Sequence, residues 1–515
     1  METNLPGLAR SRDWVLKAVV LVGMSLELVS GCVRARPASE LSPTLAWAIS
    51  IQSLVDQEKF SSARWGIQVA SLNTGKILFE HNSQKFFVPA SNTKLFTAAL
   101  ALDQLGASHQ IHTSVYAREG PDRRGRIDGD LVLYGRGDPT FIARPMDGVS
   151  GASIPRLAGS LAATGTRLVR GNLQIEDGFF RGSEFGSGWS VDDLDFYYSP
   201  EVSALSFNEN VAEWIVSPSI HSNELARVDF FPSDSALVLH HQILTVPPGL
   251  RTELSATREL GGYQVFAQGQ VALDSPPVTN LITVRHPSLW FGRQLGRELK
   301  QSGVRIMGGI TAPGPSHAGQ PVWSTNGWME LAREDSPPLS ELVRRMMKPS
   351  NNLYAQLLLL QVGANSRWAA TASTTEQAAD LAMELFLKRA IRNSPLPILE
   401  EGSGLSRRHG VTPGSVVDLL RFMAQHPESK AFRESLPVAG MDGTLRTRMR
   451  GTSAEGKLAG KTGTLRGVNA LSGYLQTRTG EPLVFSIFLN DYFPTSGQRS
   501  ARDEVDAVAV MLSDG

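Results

Sequence analysis

The chain has 515 residues, 41% hydrophobic and 19% charged, with 50 Lys and Arg balancing 50 Asp and Glu. That length exceeds a single compact core and predicts roughly two to four structural units. Neutrality without a Lys/Arg run gives nucleic-acid binding no support. The single cysteine, Cys32, excludes an intrachain disulfide and a cysteine-based zinc site. His240 and His241 are adjacent and no H-E-x-x-H occurs. No metal and no cofactor is therefore expected.

The N-terminus reads as an export signal, residues 1–31. Arg10, Arg12 and Lys17 precede a mostly apolar stretch, 18–29, interrupted by Glu27, and small Ser30 and Gly31 follow. The stretch is too short for a good membrane span. Val29-Ser30-Gly31-Cys32 resembles a bacterial lipoprotein cleavage box, in which Cys32 becomes the lipidated first residue. The alternative is a plain signal peptide with Cys32 incidental. Either way the protein is expected to be exported and periplasmic, touching a membrane only through a lipid anchor at Cys32.

Residues 43–57 have helical spacing. Residues 65–70 and 76–79 read as strands joined by the turn Asn73-Thr74-Gly75. Ser91 opens a helix with Leu95, Ala98, Ala99, Leu102 and Leu105 on one face and Gly106 as its stop. From about 113 to 331 glycine and proline are frequent, and the texture is mostly β. Strand candidates there are 131–134, 168–175, 228–231 and 282–285, with one helix at 289–300. Helical texture returns at 338–347 and 352–362. Two strands, 469–477 and 482–489, turn at Thr479-Gly480, and 501–512 closes as a helix. No internal repeat is evident.

Three short motifs occur in order: Ser91-Asn92-Thr93-Lys94, Ser350-Asn351-Asn352 and Lys461-Thr462-Gly463. They match the S-x-x-K, S-x-N and K-T-G set of penicillin-interacting serine enzymes. Each alone is weak; Ser350 and Asn352 singly would more often be a helix cap and a surface turn. The chemistry explains the spacing. A serine hydroxyl needs a base, and on a helix i and i+3 share a face, so Ser91 and Lys94 can converge. Bringing a lysine to a pKa of about 7–8 takes roughly 3–5 kcal/mol of desolvation and cationic neighbours. Lys461 supplies a second positive charge and attracts a substrate carboxylate. Gly463 would leave the strand open to the substrate, and an oxyanion hole from the Ser91 and Thr464 amides is expected, each donor worth about 2.7–4 kcal/mol. Ser350 would relay a proton between lysine and the leaving amine, and Asn352 would bind the substrate backbone.

Two decoys fall away. Residues 451–457 match G-x-x-x-x-G-K, but Leu458 follows, and Gly460-Lys461-Thr462 has Glu455 where the first glycine belongs. Gly402-Ser403-Gly404 is not a nucleophile elbow.

With these motifs the sequence resembles the D-alanyl-D-alanine carboxypeptidase/endopeptidases, class C low-molecular-mass penicillin-binding proteins. The likeness extends to 89–102 (PASNTKLFTAALAL), 129–140 (GDLVLYGRGDPT), 189–210, 347–352 (MKPSNN), 402–407 (GSGLSR), 436–449 and 460–474. It runs from about residue 42 to the C-terminus. It implies an α+β fold, a β-lactamase/transpeptidase-like domain with an antiparallel sheet between helices and two smaller, mostly β inserted domains. The catalytic domain would be 32–112 plus 332–515, inserted domain II 113–210 plus 276–331, and inserted domain III 211–275. The 259-position step from Ser91 to Ser350 fits such an insertion.

The resemblance also implies the partners, peptidoglycan stem peptides and β-lactam inhibitors. It implies a side pocket for the diaminopimelate end of the stem peptide, lined by Asp193, Tyr198 and Arg407. An acidic group for an ammonium and an arginine fork for a carboxylate suit a zwitterion; the alternative is a structural Asp–Arg pair. Glu401 departs from the family's usual Asp. The expected activity is D-alanyl-D-alanine carboxypeptidase, and endopeptidase, through a Ser91 acyl-enzyme. The alternatives are a β-lactamase or esterase on the same fold, and a non-catalytic peptidoglycan-binding protein.

Overall fold

A computed structural model describes residues 43–143, 151–259, 261–312 and 323–515. The export signal and Cys32 lie outside the described residues.

The motifs gather on one five-stranded antiparallel sheet. Its order is Leu458–Leu465, Val468–Gln476, Pro482–Asn490, Arg64–Ser71 and Ile77–His81, so the chain's two ends build it together. The middle strand reads PLVFSIFLN and is almost wholly buried. A strand covered on both faces needs apolar residues on both. Val484 and Phe488 point into a cluster with Leu95, Phe96, Val416 and Leu420. Leu483, Phe485, Ile487 and Leu489 point into another with Trp47, Ile51, Val505 and Leu512. Helices thus cover both faces: Thr93–Leu105, Leu339–Met347, Asn352–Asn365 and Pro413–Ala424 on one, Pro43–Val55 and Ala501–Asp514 on the other.

The chain leaves this unit after Leu105 and returns at Leu339, and exit and return are stitched together. Ser336, Leu339 and Ser340 donate backbone N–H groups to Ile111 (2.9 Å), His109 (2.8 Å) and Ala107 (3.0 Å). His112–Ala117 then pairs antiparallel with Met329–Asp335. The long detour therefore leaves Ser91 and Ser350 free to meet. Its first sheet is mixed, ordered Ile310–Thr311, Leu173–Glu176, Leu131–Tyr134, His112–Ala117 and Met329–Asp335. Three further three-stranded sheets follow, one pairing Val211–Ser217 with Val278–Thr283 across the expected boundary at 275.

Several element boundaries differ from the sequence expectation. The candidate strand 168–175 is two strands, Leu168–Val169 and Leu173–Glu176. Gly171 breaks it: a Cβ there would lie 2.1 Å from the Asp130 carboxylate and 2.6 Å from the Gly129 carbonyl. The candidate strand 282–285 is Val278–Thr283, ending before the helix Pro287–Gln301. Ser153–Ala163, Thr375–Ala390 and Pro413–Ala424 are helices that the sequence reading did not mark. Among the described residues no helix is long and apolar enough to cross a membrane.

Candidate active site

Ser91 sits in a single 3-10 turn, Ala90–Asn92, that runs into the helix Thr93–Leu105. Ala90 is held at φ 49°, a left-handed conformation that sets the serine at the helix mouth. The helix from Thr93 to Leu102 is buried, Lys94 included, and Ser91 is half-buried. Lys94 Nζ reaches three oxygens: Ser91 Oγ at 3.0 Å, Asn352 Oδ1 at 2.5 Å and the Ser403 carbonyl at 2.7 Å. Two of these can only accept. A neutral amine has two N–H groups and one lone pair. The ammonium donates to all three oxygens; the neutral amine can donate to Asn352 and Ser403, which leaves its lone pair for the Ser91 hydroxyl. Complete burial brings the Lys94 amine down to about 7, while the Glu401 carboxylate pulls it back up.

Asn352 begins the helix Asn352–Asn365, capped by Asn351, whose Oδ1 accepts the Tyr354 N–H at 3.1 Å. The Asn352 amide is thereby fixed between Lys94 and the Tyr198 carbonyl, to which it donates at 2.7 Å. Ser350, at φ 67°, turns its hydroxyl to Lys461, whose Nζ donates to Ser350 Oγ and to the Thr462 carbonyl, both at 2.8 Å. Burial holds the Lys461 amine well below its ordinary range, and the charges of Lys94 and Arg448 push the same way. All three motifs thus meet.

Lys461-Thr462-Gly463 lies within the strand Leu458–Leu465, not before it. Asn92 Nδ2 donates to the Lys461 carbonyl at 3.2 Å, and Thr462 Oγ1 to Thr444 Oγ1 at 2.8 Å. The need for glycine at 463 has a sharper cause than substrate access. A Cβ there would lie 2.5 Å from the Pro89 carbonyl oxygen and 3.0 Å from Asn92 Nδ2. The strand can press against the serine turn only without a side chain. Thr464, next along, is exposed at the open edge of this junction.

Of the expected side-pocket residues, Asp193 and Tyr198 are together: the Tyr198 hydroxyl donates to Asp193 Oδ1 at 2.9 Å. Burial, then this carboxylate, raises the Tyr198 phenol above its ordinary range. The Phe196 ring stacks on Tyr198 with centroids 5.4 Å apart. Arg407 is exposed and donates to the Arg466 carbonyl at 3.1 Å, beside the end of the motif strand.

Sequence reasoning marked Glu401 only as a departure from the family's usual Asp and missed the buried layer that it forms with His409. Glu401 and His409, both on the loop after the helix Thr375–Ala390, are 2% and 3% exposed. His409 Nδ1 lies 3.0 Å from Thr93 Oγ1, the residue before Lys94. Thr97 Oγ1 donates to the Gly402 carbonyl at 2.7 Å. The one available signal was Gly402 and Gly404 flanking Ser403. A Cβ on Gly404 would lie 2.0 Å from the Ala90 carbonyl, so this loop touches the serine turn directly.

Among the described residues, Glu184, Glu201 and His286 are close enough to share a cation. Arg285 already pairs with Glu201 there. They line a cavity of about 280 Å³ with Asp177 and Ser288, and no motif residue lines it.

The D-Ala-D-Ala carboxypeptidase 3 (S13) family matches residues 47–513. A D-alanyl-D-alanine carboxypeptidase of Actinomadura is 35% identical over 478 residues, covering 90% of this chain and 84% of the relative. The D-alanyl-D-alanine carboxypeptidase DacB of Haemophilus influenzae is 25% identical, covering 83% of this chain and 85% of the relative. The crystal structure of penicillin binding protein 4 from Haemophilus influenzae, 24% identical, superimposes with a TM-score of 0.75 over 90% of this chain and 98% of the other. That likeness speaks to the fold; the sequence match across nearly the whole chain speaks to descent. The chain belongs to the D-Ala-D-Ala carboxypeptidase 3 (S13) family.

Proposed function

We propose that the protein is a serine D-alanyl-D-alanine carboxypeptidase, and also a DD-endopeptidase, that acts on peptidoglycan stem peptides and is inhibited by β-lactams. The observation that carries the reading is the fully buried Lys94 amine, 3.0 Å from Ser91 Oγ and brought down to about 7. An amine so placed is a base at working pH.

In this reading Ser91 Oγ attacks the carbonyl carbon of the penultimate D-alanine and its proton passes to Lys94 Nζ. The Ser91 and Thr464 amides hold the developing oxyanion. Lys461 and Thr462 receive the terminal carboxylate, and Asn352 the peptide backbone. The C–N bond breaks as Ser350 relays the proton taken up by Lys94 to the leaving amine, which leaves Lys94 neutral again, and D-alanine departs. Water then hydrolyses the Ser91 ester. Asp193 and Tyr198, with Arg407 at the rim, receive the diaminopimelate end. The catalytic domain is taken as 32–112 plus 332–515, with the inserted parts shaping that pocket.

Intact-mass measurement after benzylpenicillin tests the proposal. A single adduct on Ser91, slow to hydrolyse and absent in Ser91→Ala, is expected. D-alanine release from monomeric muropeptides and cleavage of cross-linked dimers should vanish in the same variant. No adduct, or one elsewhere, overturns the reading, and rapid turnover of penicillin would make the protein a β-lactamase. Export to the periplasm and a lipid anchor at Cys32 complete the proposal; lipid labelling that survives Cys32→Ala would remove the anchor.

A further inference from the structure

We propose that Glu401 is a positioning residue for the reaction: its ionised carboxylate holds the loop that grips the Lys94 amine, and sets how readily that amine takes a proton. The inference rests on the reading of Ser91 and Lys94 as nucleophile and base.

The geometry begins with the loop 401–406. Glu401 Oε2 accepts the Ser403 N–H at 2.6 Å, and Oε1 accepts the N–H groups of Gly404 at 2.5 Å and Ser406 at 3.4 Å. The loop is folded around its own carboxylate. That curl aims the Ser403 carbonyl at Lys94 Nζ, 2.7 Å away. It also presses Gly404 against Ala90, so the same turn touches both the base and the nucleophile. Glu401 reaches neither directly; it acts through Ser403 and through its field.

A buried carboxylate persists as an anion only if hydrogen-bonded or paired. Three amides meet the first need. Burial pushes the Glu401 carboxyl up, but these hydrogen bonds, those from Ser403 foremost, outweigh it and keep the carboxyl below its ordinary range. His409 is not a free cation. Its Nε2 accepts the backbone N–H of Glu400 at 3.0 Å and of Glu401 at 3.3 Å, which puts the ring proton on Nδ1, donated to Thr93 Oγ1. Burial favours this neutral ring. The other charged groups around the pair are Lys94 itself, Glu400 and Arg408 on the loop and Glu376 on the helix Thr375–Ala390. Glu400 is engaged by Arg408 at 2.8 Å, and Glu376 by Gln356 and Ser187. Glu401 is the carboxylate whose field reaches Lys94. It favours the ammonium, opposing burial, so that the amine stays basic enough to take a proton yet is often neutral.

The test is the pH profile of Ser91 acylation by a labelled penicillin, in the full chain carrying Glu401→Gln. The amide removes the charge and, because its NH2 cannot accept, also one side of the loop's hydrogen bonding, so the movement of the limb and not the height of the plateau reports the charge. The acid limb, set by loss of the Lys94 proton, should move down by about one pH unit, the usual effect of one opposite charge at short range. The plateau should fall as well, because a weaker base pulls less on the hydroxyl. Glu401→Asp retains the charge, so its limb should stay within about 0.3 unit of wild type, again on the opposite-charge rule. A purely structural role predicts a lower plateau with an unmoved limb in Glu401→Gln, and that result would overturn the proposal. If Glu401→Gln does not fold, Glu401→Asp decides: a full-unit movement despite the retained charge overturns it. A wild-type protein that takes no adduct on Ser91 defeats the parent reading instead, so the two failures are distinct.

Discussion

Gly463→Ala probes the junction on which the site depends. The added methyl would sit 2.5 Å from the Pro89 carbonyl oxygen, 3.0 Å from Asn92 Nδ2 and 3.2 Å from Ala470 Cβ. The first of these is backbone on the turn that carries Ser91, and the last is on the neighbouring strand, so no flexible side chain yields. The strand and the serine turn must separate by several tenths of an ångström, lengthening the 3.2 Å bond from Asn92 to the Lys461 carbonyl. Overpacking of this kind costs about 1–3 kcal/mol of stability. The larger effect falls on chemistry, because the Ser91 and Thr464 amides proposed to hold the oxyanion belong to the turn and the strand on either side of the gap. Misplacing one such donor costs about 2.7–4 kcal/mol, or roughly 10²–10³ in rate. The expected outcome is a folded protein, melting a few degrees lower, with penicillin acylation of Ser91 reduced about a hundredfold. Gly159→Ala is the control. Nothing lies within 4 Å of a Cβ there, it lies in the helix Ser153–Ala163, and its φ is ordinary. It should leave acylation unchanged and raise stability by about 0.4–1 kcal/mol. Acylation by Gly463→Ala within threefold of wild type would show that the strand and turn can part without harm to the site.

Asp138, 2% exposed, accepts from Thr140 N at 2.9 Å and Thr140 Oγ1 at 2.7 Å, and burial pushes its carboxyl up to about 7. An acid raised above its unfolded value contributes stability fully below pH 3.8, and that contribution is lost as pH climbs through 7. Asp138→Asn keeps the acceptor oxygen and removes the titration. Its stability relative to wild type should therefore increase from pH 5 to pH 8, by on the order of 1–3 kcal/mol in denaturant titrations; a pH-independent difference refutes this. Tyr198→Phe removes the hydroxyl bound to Asp193 but keeps the ring stacked on Phe196 and the carbonyl that orients Asn352. Penicillin acylation should be unchanged, while KM for stem peptides with a free diaminopimelate end rises several-fold, as loss of one hydrogen bond to a charged group allows. A fall in penicillin acylation would instead place the hydroxyl in the chemistry.

The serine and lysine of the first motif were legible because helical geometry alone brings i and i+3 together. The sheet was legible where apolar runs such as 482–489 are bounded by turn residues. The helix Ser153–Ala163 was equally present in the pattern. Ile154, Leu157, Ala158 and Leu161 make one buried face, and Pro155 stands in the first turn, where its missing N–H is harmless. A glycine-rich, β-textured neighbourhood hid it. The split at Gly171 was not legible, because its cause is the approach of Gly129 and Asp130 from the bend before the strand Leu131–Tyr134. The roles of Glu401 and His409 were hidden for the same reason. They depend on which backbone amides a loop turns inward, and no local spacing records that. The close packing against Gly463 and Gly404 is a tertiary fact that appears in the sequence only as two glycines among 48.

The charges of the site bear on how two buried lysines coexist in it. Lys94, Lys461 and Glu401 are all buried, and each ammonium disfavours the other. Arg448 adds a nearby positive charge but is held by Asp506 in a forked pair at 3.1 Å. Two ammonium groups held close together in low dielectric repel each other, and burial acts against both. A carboxylate arriving beside Lys461 changes the balance. It supplies an anion where Ser350 and Thr462 already hold the amine, and so favours the charged form of Lys461 when substrate is bound. Lys94 meanwhile keeps its lone pair for Ser91, since its two oxygen acceptors, Asn352 and Ser403, are fixed by a helix start and by the Glu401 loop. The proposed base, Lys94, and the proposed carboxylate-attracting group, Lys461, are the same residue type at similar depth. The acceptors and anions placed around each by the fold decide which of them gives up its proton.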